Sequence, residues 1–164
     1  MANCSFLAIL LGAHFAGYLR RQREFVPGHI AQNTEQLGVG SLLHDVGKLN
    51  MTDEMRGKCI FDPESDPEPY PYHVKCGCES VRERLPPIAA NTVSHHRERF
   101  DGSGFSGRTA MEDGGAGPLD GTQIHVFSRI AAVVDTFDRL LCHGGKPVPT
   151  IAAINALKSP RFNG

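Results

Sequence analysis

The sequence predicts an all-α fold, and three observations carry that prediction. No segment alternates apolar and polar residues long enough to make a half-buried strand. Apolar residues recur instead at helical spacing, most clearly at Ile124, Phe127, Ile130, Ala131, Val134, Phe137, Leu140 and Leu141. Breakers such as Pro27-Gly28, Pro86-Pro87 and Gly144-Gly145-Lys146-Pro147 separate the helical stretches by short connections, which favours antiparallel neighbours. At 164 residues, 40% of them hydrophobic, the chain 1–164 has enough material for one core and reads as a single domain.

Taken in order, the first helix starts near Ser5, a good N-cap, and runs to the polar Arg20-Arg21-Gln22-Arg23 stretch. Its apolar part, residues 6–19, is too short to span a bilayer and lacks basic residues before it, so it reads as a core helix and neither a membrane segment nor a signal peptide. A short helix over residues 29–36 follows, and Gly38-Val39-Gly40 is expected to break the chain before a helix that closes at His44. Residues 61–71 hold four prolines and four acids, a composition that excludes helix and sheet and makes an exposed acidic loop. Helical spacing returns over residues 72–85 and again from Ile88 to His96. The glycine-rich run from Arg99 to Gly121 is a long loop, a length that compact domains keep for a purpose. Thr122 is then expected to cap a helix reaching Leu141, and residues 150–157 form a last short one.

Charge and cysteine usage narrow the functional classes. A formal net charge of -1 argues against a nucleic-acid duplex or an anionic membrane as the main partner, so any bound anion must be held by local positive groups. Five scattered cysteines make no disulfide framework, and a reducing, cytoplasmic compartment is expected. Cys76-Gly77-Cys78 lacks a second pair at finger spacing, so a structural zinc site is not expected there.

The stretch Leu43-His44-Asp45-Val46-Gly47-Lys48 carries the chemistry. Adjacent helical residues project about 100° apart, so His44 and Asp45 cannot lie flat on one face but can straddle two cations, an arrangement suited to phosphate-ester hydrolysis. Lys48 is left as a point charge for a phosphate. The plainer reading makes His44 and Lys48 a dipole-complementing helix end. His14, alone on an apolar helix, reads by itself as a core residue. His73 shares a face with Gly77, which admits a close neighbour. Asp135 borders the apolar stripe of its helix, where a carboxylate must be paired or bound to a cation.

Several ordered motifs together resemble the HD-GYP branch of the HD phosphohydrolase superfamily, from His14 to about residue 157. They are the His44–Lys48 stretch, His73 with Gly77, His95-His96 before Glu98, Asp101-Gly102-Ser103-Gly104-Phe105, Pro118-Leu119-Asp120-Gly121, and Arg129-Ile130 leading to Asp135. The resemblance implies a helical bundle around two divalent transition-metal ions, commonly iron or manganese. It also implies phosphodiesterase action on cyclic di-GMP or a related cyclic dinucleotide, through a hydroxide held between the metals. His14, His44, Asp45, His73, His96 and Asp135 would be ligands, with Asp45 bridging and Lys48 assisting at the phosphate. The glycine-rich loop would also offer a surface to a signalling protein. Imidazole and carboxylate donors suit iron or manganese independently of the resemblance.

The departures are specific. Arg97 stands between His96 and Glu98, where the family reads His-His-Glu. Counting back from Glu98 puts Arg97 in a ligand position, where it would grip phosphate; treating Arg97 as an insertion makes His95 and His96 both ligands. Gly104-Phe105-Ser106 replaces Gly-Tyr-Pro, Leu10 stands where a third metal would need an acid, and Lys146-Pro147 represents a substrate-contacting Arg-Pro pair. Helices that often precede the first ligand helix, and any sensory domain, are expected to be missing.

Overall fold

The computed structural model describes residues 1–54, 72–104, 119–143 and 146–159. Helices dominate them, as the spacing predicts: α1 (Ala2–His14), α2 (Ala16–Gln22), α3 (Gly28–Ala31), α4 (Glu35–Leu43), α5 (Tyr72–Val81), α6 (Pro87–His95), α7 (Val126–Leu140) and α8 (Thr150–Leu157). Short 3-10 turns cover Val46–Asn50 and Gly121–Gln123, and Cys142–His143 pairs antiparallel with Lys146–Pro147 in a two-stranded hairpin. The acidic loop and most of the glycine-rich loop lie outside the described residues.

The core forms where α1 packs between α4 and α7. Cys4, Ala8, Leu37, Val126, Phe127, Ile130 and Val134 meet there, joined by Leu19 from α2. α6 packs on α4 and α7, α5 lies on α6 and on the Val46–Asn50 turn, and α8 rests on α7. The four segments that carry the chemistry, namely the end of α4, α5, the end of α6 and the middle of α7, thereby surround one point.

Four boundaries differ from expectation. The first helix begins at Ala2, and Ser5 lies inside it, donating its hydroxyl to the Gly38 carbonyl at 2.9 Å. It also breaks at Phe15, and α2 departs at 82° from α1. The amides on either side keep their helical partners across the bend, Phe15 to Leu11 and Leu19 to Phe15, both at 2.9 Å. The bend thus costs little backbone bonding and buries Leu19 completely. Secondly, α3 ends at Ala31, and Gly38 and Gly40 stand inside α4 instead of breaking it. Close packing explains their presence: a Cβ on Gly38 would lie 2.7 Å from Ile9, and one on Gly40 would lie 2.6 Å from Thr92. Thirdly, the residue 72–85 helix stops at Val81. Finally, His125 and not Thr122 caps α7, its Nδ1 accepting the Phe127 amide at 3.2 Å.

That cap has a pH signature. Burial, then the charges of Arg23, Arg129 and His95, push His125 down to about 4, so the neutral acceptor is kept in the fold. The unfolded chain titrates near 6.5, so it binds more protons than the native state between pH 6.5 and 4. Stability therefore falls as pH drops through that window and levels off below it. In metal-stripped protein, His125→Asn is expected to show a smaller loss of denaturant midpoint from pH 7 to pH 4.5 than the parent chain. Equal losses in the two would remove His125 from this account.

Candidate metal centre

The sequence places the centre's histidines at helix ends, where a ring can turn inward. His44 is the C-cap of α4 and is 2% exposed. Its Nδ1–H donates to the Ser41 carbonyl at 2.7 Å. That bond turns Nε2 toward Asp135 Oδ1 at 3.3 Å and Asp45 Oδ2 at 3.4 Å. His96, the C-cap of α6, repeats the device: Nδ1–H donates to the Val93 carbonyl at 2.8 Å. Its Nε2 faces His73 Nε2 at 3.4 Å and Asp45 Oδ1 at 3.9 Å. His73, fully buried on α5, brings Nε2 to 3.5 Å from the same Asp45 oxygen.

Asp45 therefore lies between two groups of donors, Asp45–His73–His96 on one side and Cys4–His44–Asp135 on the other, each within 4.8 Å among its own atoms. Gly47 makes this meeting feasible. A Cβ there would lie 1.9 Å from the His73 carbonyl oxygen and 2.4 Å from the Gly77 amide nitrogen, so only glycine lets the turn after Asp45 rest on α5. Gly77 faces it across the contact.

Electrostatics follow from the geometry. Burial works against a charged His44, but hydrogen bonds and charge from Asp135 and Asp45 outweigh it and raise the ring to about 9. Burial, then Arg97 and His44, push His96 well below its ordinary value and keep it neutral. Asp45 is held well below the carboxylate range despite burial, by His44, His96 and Lys48. Asp135 is held down likewise, by Arg97, His44 and Arg139 against burial. Both carboxylates are thus anionic at neutral pH. A divalent cation fits the Asp45 side: Asp45 Oδ1 is buried, accepts no hydrogen bond among the described residues, and faces imidazole nitrogens. The donor set of two imidazoles and a carboxylate matches first-row transition ions.

The remaining expected residues divide. Lys48 stands at the edge, 27% exposed, with Nζ 2.6 Å from Asp45 Oδ2. Arg97 is turned inward, with Nη1 3.1 Å from Asp135 Oδ2 and Nη2 4.0 Å from Asp45 Oδ1, its side chain only 7% exposed. It is therefore drawn onto a carboxylate and not presented to open solvent. His95 joins neither donor group, and its Nδ1 is 2.5 Å from Asn91 Oδ1 on the preceding turn. Lys146 is exposed on the hairpin. His14 must be corrected: it is exposed at the end of α1, edge-on to Phe15, and joins neither donor group. Helical phase is the cause. Cys4, Ala8 and Gly12 make the buried face of α1, and His14 lies roughly 200° beyond Gly12.

Cys4 and Arg139 were not singled out by the sequence. Cys4 takes the α1 position beside His44 and Asp135 and donates to Asp138 Oδ2 at 3.6 Å. Burial and then Asp135 push its thiol up to about 12, so it stays protonated. The spacing of Cys4, Ala8 and Gly12 would have revealed it, since small residues four apart mark a face that packs closely. Arg139 reaches Asp135 Oδ2 at 3.4 Å from one turn along α7.

Comparison with known proteins finds similar sequences. The chain is 32% identical over 103 residues to the 3'3'-cGAMP-specific phosphodiesterase 2 of Vibrio cholerae, covering 61% of this chain and 18% of that protein. It is 30% identical over 132 residues to the cyclic di-GMP phosphodiesterase response regulator RpfG of Xanthomonas campestris pv. campestris, covering 79% of this chain and 31% of the relative. Against the cyclic di-GMP phosphodiesterase PA4108 of Pseudomonas aeruginosa the identity is 28% over 109 residues, covering 64% and 23%. The chain thus spans between 18% and 31% of the length of these relatives. The family described as HD domain matches residues 6–140, a span that holds the histidines and aspartates just placed around Asp45, and the chain belongs to that family.

Proposed function

We propose that this domain hydrolyses a phosphodiester bond of a cyclic dinucleotide, cyclic di-GMP or a mixed relative, in a metal-dependent reaction. The observation that carries the reading is the Asp45 carboxylate, buried between imidazole donors on one side and salt-bridged to the edge cation Lys48 on the other. The names of the relatives supply the substrate class. Asp45, His73 and His96 are the residues that would hold an ion, with iron or manganese suited to their donors. When bound, such an ion lends Lewis acidity to a phosphoryl oxygen and acidifies water for attack.

The chain's own groups do the rest. Nδ1 bonds to backbone carbonyls hold the His44 and His96 rings in one orientation, so their Nε2 atoms stay turned to the centre. Lys48 has three N–H donors; one bonds Asp45, which leaves the others for a phosphoryl or leaving oxygen at the rim. Arg97 and Lys146 complete the set of substrate-contact candidates, Arg97 reaching a phosphate only if it leaves Asp135. A signalling partner at the glycine-rich loop would meet residues 105–118, which lie outside the described ones. No single helix among the described residues is long and apolar enough to cross a membrane, and buried free Cys4, Cys76 and Cys78 suit a reducing, cytoplasmic setting.

Protein loaded anaerobically with iron or manganese should turn over cyclic di-GMP or 3'3'-cGAMP and leave p-nitrophenyl phosphate untouched; turnover of the monoester alone would overturn the reading. Lys48→Ala should retain its metal while turnover falls about 100-fold, the scale of losing one charged donor to a developing oxyanion. Loss of metal in that variant would make Lys48 structural. The inward position of Arg97 favours a second reading, a nucleotide-binding module without turnover, which saturable dinucleotide binding with no product under any metal would support.

A further inference from the structure

We propose that the Arg97 guanidinium is the built-in cation of the Cys4–His44–Asp135 side, so that this chain binds one metal ion, at Asp45–His73–His96, where two were expected. The inference deepens the metal-dependent reading above and rests on it. The two donor groups differ in how far their anionic atoms are already engaged. Asp135 Oδ2 has Arg97 Nη1 at 3.1 Å and Arg139 Nε at 3.4 Å, while Asp135 Oδ1 has His44 Nε2 at 3.3 Å. Cys4 contributes a thiol that donates to Asp138. A metal there would have to displace two guanidinium contacts from a carboxylate that is 5% exposed.

By hydrogen-bond geometry neither Asp45 Oδ1 nor Asp135 Oδ2 accepts a hydrogen bond among the described residues, so the difference lies in the cations: two guanidinium groups pair with Asp135 Oδ2, while two imidazole Nε2 atoms face Asp45 Oδ1. Arg97 Nη2 lies 4.0 Å from that oxygen, so the guanidinium spans the boundary between the groups. Arginine stays charged at any working pH, and its planar fork matches a carboxylate. Asp45 and Asp135 together already face Lys48, Arg97 and Arg139. A second divalent ion would add like charge beside the buried Arg97 guanidinium, where repulsion is poorly screened.

The test is stoichiometry, which needs no substrate. The full chain, loaded with Mn(II) under anaerobic conditions and desalted, should hold one ion by elemental analysis. Its paramagnetic resonance spectrum should be that of an isolated ion, without exchange coupling. Arg97→His, which removes the guanidinium and adds a donor, should raise the count to two and introduce coupling. His73→Ala should release the single ion, and Cys4→Ala should keep it. Two ions in the parent chain, or one that survives His73→Ala and leaves with Cys4→Ala, would overturn the proposal. One ion without turnover of any dinucleotide would sink the phosphodiesterase reading and leave this one standing, while two ions with turnover would do the reverse.

Discussion

Asp45→Ala is expected to strip the protein of retained metal and of turnover while its helical circular dichroism stays near that of the parent. The carboxylate touches both donor sets: Oδ2 is 3.4 Å from His44 and 2.6 Å from Lys48, and Oδ1 is 3.5 Å from His73. Changing a group that merely supports a ligand costs about 10- to 100-fold in metal affinity, so removing Asp45 should cost more than about 100-fold. The fold should tolerate the loss, because Asp45 follows the end of α4 and contributes no apolar packing. Lys48, 27% exposed, is then solvated by water and not stranded in the interior. Asp45→Asn makes the sharper comparison, since it keeps the shape and removes the charge. Titration calorimetry with Mn(II) on the three proteins checks the result. An Asp45→Ala protein that binds metal as the parent does would remove Asp45 from the centre.

Gly47→Ala should be the most damaging glycine-to-alanine change among the described residues. The added carbon would sit 1.9 Å from the His73 carbonyl oxygen and 2.4 Å from the Gly77 nitrogen, both backbone atoms of α5 with no rotamer to yield. Overpacking usually costs 1–3 kcal/mol when side chains can shift. Here the turn and the helix must separate, so about 3 kcal/mol or more is expected from a total stability on the order of 5–15 kcal/mol. Separation also moves His73 away from Asp45, so metal affinity should fall together with the denaturant midpoint. Gly17→Ala is the control: its nearest neighbour would be the flexible Arg21 side chain at 4.0 Å. Alanine there should stabilise α2 by up to about 1 kcal/mol. If Gly47→Ala unfolds at the same denaturant concentration as the parent, the close approach to α5 is not what the glycine is for.

The helices themselves were legible because each buries one stripe and the stripe repeats in the sequence. The α8 bounds, Thr150–Leu157, agree with the expected 150–157 because a proline precedes a run of apolar residues with nothing to compete. The preference for His96 over His95 also has a signal in the sequence. Ala89, Val93 and His96 fall at helical spacing and are all buried, while His95 sits one turn after Asn91 and bonds to it. His14 misled because the apolar residues around it are spread over the whole of α1. Only the small residues Cys4, Ala8 and Gly12 marked which face would meet α4 and α7.

The direction in which the helix-end imidazoles point is set locally. A histidine at a helix end can bond the carbonyl three residues back, as His44 does to Ser41 and His96 to Val93, and that bond fixes where Nε2 points. Which donors share a centre was decided by contacts between distant segments: Asp45 with His73, His44 with Asp135, and Arg97 with Asp135 across 38 positions of sequence. Helical periodicity specifies a side chain's direction around its own axis, but where that axis lies depends on backbone approaches such as Gly47 against α5 and on the bend at Phe15. Those are properties of pairs of segments, and no single stretch of sequence contains them.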